Sequence, residues 1–446
     1  MVLDNLKKIF PNYRSKYPKG FQSILEAFSE EYVLNQEDID LLWSAYEFGS
    51  NAHEGQKRKS GAPYFEHCIQ VCIQLISWHM DMDTLIAGLL HDTIEDTNVK
   101  REDIENKFNK DIGHLVYGVS KLSGIKFRDY KHRQAENLMK MFLAVAKDLR
   151  VIIIKFSDRL HNMKTLDFLP PEKQIRIAEE TKNLYAPLAH RLGMNKLKMD
   201  YENLILKYTN KEAHDSIKKK VNATNKTRNK YIDEFITPIK KELNSFSIEG
   251  DVFGRAKHYY SIYRKMKNQS KKFDELYDLF AIRIIVNRIE ECYAVLGIVH
   301  QLYTPMQERF KDYIATPKSN GYQSIHTTVF GKDEQIIEIQ IRTQSMDQLA
   351  EVGIAAHWIY KEKGHRNKHI PDSKMNSYIE WLRNLVDIIK SEDKDPNELL
   401  ELLKIDLFED EIFVFTPQGE VHQLKRGSTP IDFAFSIHTQ IGLKCS

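Results

Sequence analysis

A chain of mixed class, all-α in its first half and α/β or α+β in its second, is predicted by three features of the sequence. Apolar residues recur at three- and four-residue steps from about residue 20 to 240. Short β-branched segments take over after residue 245, and a Pro-Gln-Gly turn near the end separates two further extended runs. The 446 residues suffice for two to four domains, and 42% apolar with 29% charged residues gives each an ordinary core. Lys+Arg 65 against Asp+Glu 63 leaves a net charge of +2. That argues against a general nucleic-acid coat and leaves room for local phosphate-binding patches.

In chain order, the opening MVLDNLKKIFPNYRSKYPKG has no apolar core flanked by small residues, so it does not read as a signal peptide. The helical pattern then runs through FEHCIQVCIQLISWHM, TLIAGLLHD, AENLMKMFLAVAKDLRVIIIKFSDRLHNM and QIRIAEETKNLYAPLAHRL, with Pro170-Pro171 as a break. TLIAGLL and VIIIKF are too short to span a bilayer, so no membrane partner is predicted. Cys68, Cys72, Cys292 and Cys445 form no C-x-x-C pair or disulfide framework, and a cytoplasmic location follows. Cys68 and Cys72, four apart, read as small hydrophobes on one helical face. The basic run KKKVNATNKTRNKY at 218–231 reads as a solvated helix face.

LFAIRIIV, SIHTTVF and QIIEIQIR then read as strands, separated or followed by the helical runs ECYAVLGIVHQLY and QLAEVGIAAHWIYK. KEKGHRNKHIPDSK reads as a linker, DEIFVFTPQGEVHQLKRG as a hairpin, and PIDFAFSIHTQIG as a last helix. The expected divisions are 1–200 helical, 201–245 a helical linker, 246–365 the α/β part, 366–408 a helical linker, and 409–446 a final module. Roughly forty residues are few for an independent domain, so the natural protein is expected to be longer.

Two constellations carry chemistry. In GLLHDTIEDT an apolar run meets His91, Asp92, Glu95 and Asp96, which on a continuous helix share an arc of roughly 140°. In KFSDRLHNMKT, Asp158, Asn162 and Thr165 form an i, i+4, i+7 stripe, and in RKSGAPYFEHCIQV His67 follows a basic, Gly-containing loop. Each piece alone has a bland reading, a core histidine or an ordinary ion pair; together on three helices they make a mixed nitrogen/oxygen donor set. Such a set suits Mn²⁺, Fe²⁺ or Zn²⁺ and leaves positions for water and a phosphate oxygen. Glu95 and Asp96 are placed to orient that water or pass a proton.

The second constellation opens at GRAKHYYSIYRKMKNQSKKFDELYDLFAIRIIV with Arg255, Lys257, His258, Lys265 and Asp278. RFKDYIATPKSNGYQSIHTTVF adds Arg309, Lys311, Lys318, Asn320, Tyr322 and His326, and QIIEIQIRT puts Glu338 and Gln340 on one strand face. Basic residues around two carboxylates suit a polyphosphate with Mg²⁺ and a nucleotidyl or pyrophosphoryl transfer. Tyr322 reads equally well as an ordinary sheet aromatic.

GQKRKSGAPYFEH, GLLHDTIEDT and FSDRLHNMKT resemble the HD-domain metal-dependent phosphohydrolases, most closely the hydrolase domain of the Rel/Spo alarmone enzymes. The region from Arg255 to Gln340 is similar to that family's synthetase domain, and the last segment, from DEIFVF onward, resembles the start of its TGS domain. The resemblance implies three folds: an all-α HD hydrolase domain, a mixed-sheet nucleotidyltransferase-like synthetase domain and a partial β-grasp TGS domain. It implies Mn²⁺ on His67, His91, Asp92 and Asp158, with Glu95 and Asp96 assisting the attacking water. Arg58 and Lys59 would contact phosphates, with Asn162 and Thr165 near the guanosine and His53 structural. In the synthetase Asp278 would bind Mg²⁺, and Glu338 would activate the 3′-hydroxyl or share the metal. Arg255 would stack on adenine and Tyr322 on guanine. Lys257, His258, Lys265 and Lys318 would grip ATP, and Asn320 and His326 would support the acceptor.

The reaction implied is pyrophosphoryl transfer from ATP to GDP or GTP, with (p)ppGpp as product and as substrate of the hydrolase. Ribosome or tRNA is the implied macromolecular partner, through C-terminal domains beyond this sequence. Arg309-Phe310-Lys311-Asp312 has the basic R-x-K-D pattern of bifunctional members. Departures are Cys68 and Ala256 where the family has proline, Ser157 for alanine, and Gln307-Glu308 for Pro-Gly. The rivals are a member with one degenerate site, an RNA-tailing nucleotidyltransferase with an HD domain, and a regulator acting mainly by binding a ribosome or another partner.

Overall fold

Burial explains the first helices. In Phe65–Ser77 the residues Phe65, His67, Cys68, Ile69, Val71, Cys72, Leu75 and Ile76 are all buried, a stripe wide enough to pack on two sides. It lies against Met82–Leu90, where a Cβ on Gly88 would run into Leu75, and against Arg150–Lys164, whose Ser157 Oγ donates to Val71 O at 3.0 Å. Local signals set the ends. Asn35 makes a capping box for Gln36–Ala52, Asp81 accepts from Thr84 N at 2.9 Å to start Met82–Leu90, and Pro171 occupies the first turn of Pro171–Glu180.

This computed structural model describes residues 16–28, 34–123, 147–270, 272–273, 280–318, 320–331, 335–356, 411–416, 421–425 and 427–445. Two compact units divide the chain, residues 1–126 with 139–386 and residues 127–138 with 387–446. The first contains the helices just described and, after Gly250, a five-stranded sheet. Its strands are β1 Gly250–Ala256, β2 Phe280–Val286, β3 Lys311–Asp312, β4 Ile325–Phe330 and β5 Ile336–Thr343, in the order β1-β2-β5-β4-β3. The β2–β5 pair is parallel and the others antiparallel, so the sheet is mixed.

Strand alternation separates a core face from a polar one. Val252, Ile282, Ile284, Val286, Ile325, Val329, Ile337, Ile339 and Ile341 point into a core shared with helices Asn225–Ser245 and Ile289–Leu302. Residues 225–245, expected as part of a linker, therefore contribute Phe235, Ile239 and Leu243 to the sheet's own core. The register puts Arg255, Ala281, Glu338 and Thr328 in one row across the opposite face, with Gln340 facing His326 in the next.

Helix Asn195–Thr209 joins the helical half to the sheet half. Asn195 Nδ2 donates to Ala350 O at 3.4 Å, Tyr201 OH to Phe156 O at 2.8 Å, and Ile354 N to Leu192 O at 3.0 Å. Gly353 sits at φ +58 in that joint, where a Cβ would run into the 192–194 backbone. In the second unit, β6 Glu411–Phe415 and β7 Val421–Lys425 pair antiparallel as the expected hairpin, followed by helix Pro430–Ile437 with a Thr429 capping box. The expected linker at 366–408 lies outside the described residues.

Candidate active sites

Histidines and carboxylates gather where three helices meet. Helix Met82–Leu90 buries seven consecutive residues, Thr84 to Leu90, and delivers His91 and Asp92 at its end. It stops there: Thr93–Asp96 is a separate short helix, so the single helical arc expected for 91, 92, 95 and 96 is corrected. Side chains cause the break by taking over carbonyls. His91 Nδ1 meets Gly88 O at 2.8 Å, and Thr93 Oγ1 donates to Leu90 O at 2.6 Å.

His67 and Asp158, from the other two helices, complete the group, and all four residues are at most 8% exposed. His67 Nε2 lies 3.2 Å from Asp158 Oδ1 and 3.6 Å from Asp92 Oδ2; His91 Nε2 lies 3.1 Å from Asp92 Oδ1. Neither Nε2 makes a hydrogen bond, although both are buried. An unsatisfied buried polar atom costs about 1–3 kcal/mol, which a ligand at the lone pair would remove. Donors set about 2.1 Å from one cation at right angles stand about 3 Å apart, so these separations fit a divalent cation. Donor atoms of His67, His91 and Asp158 all fall within 4.8 Å of one another.

The electrostatics support a cation. Burial holds His67 below the ordinary imidazole value, in the neutral form that a metal needs. Burial acts likewise on His91, but the Asp92 carboxylate outweighs it and raises the value, so a proton and a cation compete for that nitrogen. For Asp158, burial favours the neutral acid, and the Lys155 ammonium at 2.7 Å reverses this and keeps the carboxylate ionised.

A ring of contacts surrounds the group. Tyr64 OH lies 3.0 Å from Asp92 Oδ2 and 2.7 Å from Asp96 Oδ2, so its one proton sits between two carboxylates. Asn162 donates to Asp158 and accepts from Arg58 Nη2 at 2.9 Å. Lys59 and Glu95 are exposed, while Thr165 Oγ1 is turned back onto His161 O at 3.0 Å. His53 is buried and stacks on Tyr64, with centroids 5.0 Å apart.

On the polar face of the sheet, Glu338 is the centre of a second cluster. Lys257 Nζ lies 3.3 Å from Glu338 Oε2, Gln340 Nε2 donates to Oε1 at 3.0 Å, and His326 Nδ1 is 3.6 Å from Oε1. Tyr322 OH meets His326 Nε2 at 2.8 Å, and Lys318 Nζ sits 5.5 Å from the Tyr322 ring centroid. Burial raises Glu338, but Lys257 outweighs it and the carboxyl is held below its usual value. Burial lowers His326 to about 4, so it stands neutral beside that carboxylate.

Other expected residues lie further out. Arg255 Nη2 meets His258 Nε2 and Met199 Sδ, each at 3.1 Å, and His258 Nδ1 meets Asn203 Nδ2 at 3.1 Å, so this pair faces the joining helix. Asn320 is 6% exposed and donates to His190 O at 3.1 Å while accepting from Tyr322 N. Lys265 lies on helix Tyr259–Gln269, Lys311 is exposed on β3, and Arg309 ends the 3₁₀ turn Gln307–Arg309. That turn forms without the family's Pro-Gly. Asp278 lies outside the described residues.

Three family models match this chain: an HD domain over residues 45–195, the region found in RelA/SpoT proteins over 254–365, and a TGS domain over 412–446. A GTP pyrophosphokinase of Myxococcus xanthus is 45% identical over 92% of this chain and 54% of its own length. The bifunctional (p)ppGpp synthase/hydrolase SpoT of Escherichia coli (strain K12) is 45% identical over 92% of this chain and 58% of its own. The chain belongs to the Rel/Spo family. It spans a little over half the length of these relatives. Among solved structures, small alarmone synthetase 2 of Bacillus subtilis aligns at TM-score 0.25 and 24% identity. That alignment covers 39% of this chain and 91% of the other, a superposition too partial to build on.

Within this Rel/Spo chain, several residues at the sites were not foreseen. Lys155 stands three residues before Asp158 on one helical face, a spacing that pairs charges and was open to reading. Tyr64 and His161 lie inside the quoted motifs, yet nothing in the spacing says what they touch. Arg283 and Arg342, 6% and 1% exposed, project from the polar sheet face toward Asp347 and Glu351 of helix Gln344–Val352. Their partners are 64 and 5 residues away, and the longer link is a tertiary fact.

Proposed function

We propose that this chain is a two-site alarmone enzyme. At the sheet it transfers the β,γ-pyrophosphoryl group of ATP to the 3′-oxygen of GDP or GTP, and at the helices it hydrolyses the 3′-pyrophosphate of (p)ppGpp. The observation that carries the reading is the coexistence of the buried histidine–carboxylate group with a Glu338-centred basic cluster. The relatives' names support both halves, one a GTP pyrophosphokinase and one a bifunctional synthase/hydrolase.

In this proposal His67, His91, Asp92 and Asp158 hold Mn²⁺, which supplies Lewis-acid polarisation of a phosphate and a more acidic water. Glu95 and Asp96 move the proton, Asp96 being oriented by Tyr64. Arg58 and Lys59 meet the phosphates, with Asn162 and Thr165 on the guanosine side. In the synthetase Glu338 accepts the 3′-hydroxyl proton or shares Mg²⁺ with Asp278. Lys257, His258, Lys265 and Lys318 bind ATP phosphates, with Arg255 on adenine and Tyr322 on guanine. Asn320, His326 and Gln340 support the acceptor, and Arg309 and Lys311 form the basic R-x-K-D face. The proposed divisions remain those at 200, 245, 365 and 408.

No helix among the described residues is long and apolar enough to cross a membrane. A cytoplasmic enzyme with ribosome or tRNA as its macromolecular partner is part of the same proposal, supported by the TGS match. The test is incubation with ATP, Mg²⁺ and labelled GDP, then of the purified product with Mn²⁺. Both conversions are expected. Failure of the second alone would leave a synthetase, and failure of both would favour a binding regulator.

A further inference from the structure

We infer that His161 is a positioning residue that selects the metal-binding tautomer of His67, an inference that rests on the divalent-cation reading above. The two rings meet Nδ1 to Nδ1 at 2.7 Å, with centroids 4.8 Å apart. Two lone pairs or two protons cannot face each other at that distance, so one ring donates and the other accepts. The other edge of His67 decides which. Its Nε2 lies 3.2 Å from Asp158 Oδ1, yet makes no hydrogen bond there. The proton of neutral His67 is therefore assigned to Nδ1, donated to His161 Nδ1, and the Nε2 lone pair is left for a cation. His161 then carries its own proton on Nε2.

His91 supplies the comparison within the same site. Its Nδ1 meets the Gly88 carbonyl at 2.8 Å, an atom that can only accept, so Nε2 is again the free nitrogen. His161 does for His67 with a side chain what Gly88 does for His91 with backbone. Helix geometry makes this economical: His161 stands three residues after Asp158 on Arg150–Lys164, so one helical face brings both a donor and the support of another. Partners that orient metal-binding histidines commonly contribute 10- to 100-fold in metal affinity.

The test uses the full chain without nucleotide. Mn²⁺ binding is titrated by electron paramagnetic resonance for the unaltered chain, His161→Phe and His161→Asn. Phenylalanine keeps a ring but cannot accept; asparagine places an amide oxygen near the position of Nδ1. We expect His161→Phe to weaken Mn²⁺ about 10- to 100-fold and His161→Asn to stay within a few-fold. Long-range ¹H–¹⁵N spectra of the unaltered chain with Zn²⁺ should show His67 protonated at Nδ1, a readout that needs no variant to fold. Unchanged Mn²⁺ affinity in His161→Phe overturns this inference alone, whereas a His67 proton on Nε2 overturns it together with His67 as a ligand through that nitrogen. Failure of the unaltered chain to bind Mn²⁺, with His91→Ala making no difference, overturns the metal reading and this inference with it.

Discussion

Replacing Asp158 by asparagine removes a carboxylate of the proposed metal group and the counter-charge of a buried lysine together, and the geometry sizes the second effect. Lys155 Nζ lies 2.7 Å from Asp158 Oδ2, the two side chains being 8% and 7% exposed. Asparagine keeps the volume but leaves the ammonium facing a neutral amide. Breaking a buried pair this way costs about 3–5 kcal/mol. Lys155 sets its own bound, since shedding its proton at pH 7 costs about 1.36 × (10.4 − 7), or about 4.6 kcal/mol. At about 2–4 °C per kcal/mol for a domain of 150–250 residues, the helical part should melt about 6–20 °C lower. Adding Lys155→Met removes both charges and should recover most of that loss. Hydrolysis should be absent from both variants, so the double variant separates a lost donor from a lost fold. Scanning calorimetry beside a Mn²⁺-dependent (p)ppGpp assay makes the measurement. If Asp158→Asn melted like the unaltered chain, or the double variant were no more stable than the single, the buried-pair reasoning would be wrong. A stable double variant with full hydrolysis would remove Asp158 from the metal set.

Glu338→Gln keeps shape but loses the charge, and synthesis should fall by about two to four powers of ten while hydrolysis stays within a few-fold; equal loss of both activities in a folded chain would refute separate sites. Burial lowers His258 and His326 to about 4 each, so the unfolded chain takes up protons first as pH falls below about 6.5. The contribution of these two histidines to stability should therefore be lost between about pH 6.5 and 4, before the carboxylates held low by their partners take over. His326→Gln should flatten the slope in that window in urea melts at stepped pH. Bound ATP analogue with GDP should weaken (p)ppGpp binding at the hydrolase, and by linkage the reverse as well. Asn320→Ala, which cuts the contact to His190 O, should shrink that coupling in calorimetric titrations; unchanged affinities with and without the second ligand would refute it.

What could be read in the sequence was chemistry concentrated in short strings. His91 and Asp92 are adjacent, Asp158 and Asn162 are one helical turn apart, and Glu338 and Gln340 alternate on one strand, so period alone brings each pair together. The short β-branched runs after residue 245 marked an α/β or α+β part. The mixed sheet itself was implied by the family resemblance, since a β-branched run alone also fits a helix, as at residues 151–154. Misreadings came where a side chain competes with backbone. His91 and Thr93 take the Gly88 and Leu90 carbonyls and end a helix whose apolar pattern gives no stop signal.

Contacts between distant segments were beyond reach for a different reason. His67 meets His161 across 94 positions, Arg58 meets Asn162 across 104, and Asn320 meets His190 across 130. Each needs the packing of three or more helices, or of helix on sheet, before the partner exists. These are the contacts that turn ligand lists into working geometry. Arg58 reaches the histidine–carboxylate group through Asn162, and the Asn320–Tyr322 loop beside Glu338 is tied to His190 of the helical half. A single hydrogen bond of this kind contributes about 0.5–1.5 kcal/mol, comparable to the 1–3 kcal/mol that typical coupling between two sites requires. The ties at the joint around His190–Asn195, with Ile354 N on Leu192 O and Asn195 on Ala350 O beside them, would let one site bias the other only by differing between the two liganded states, which the Asn320→Ala titration tests.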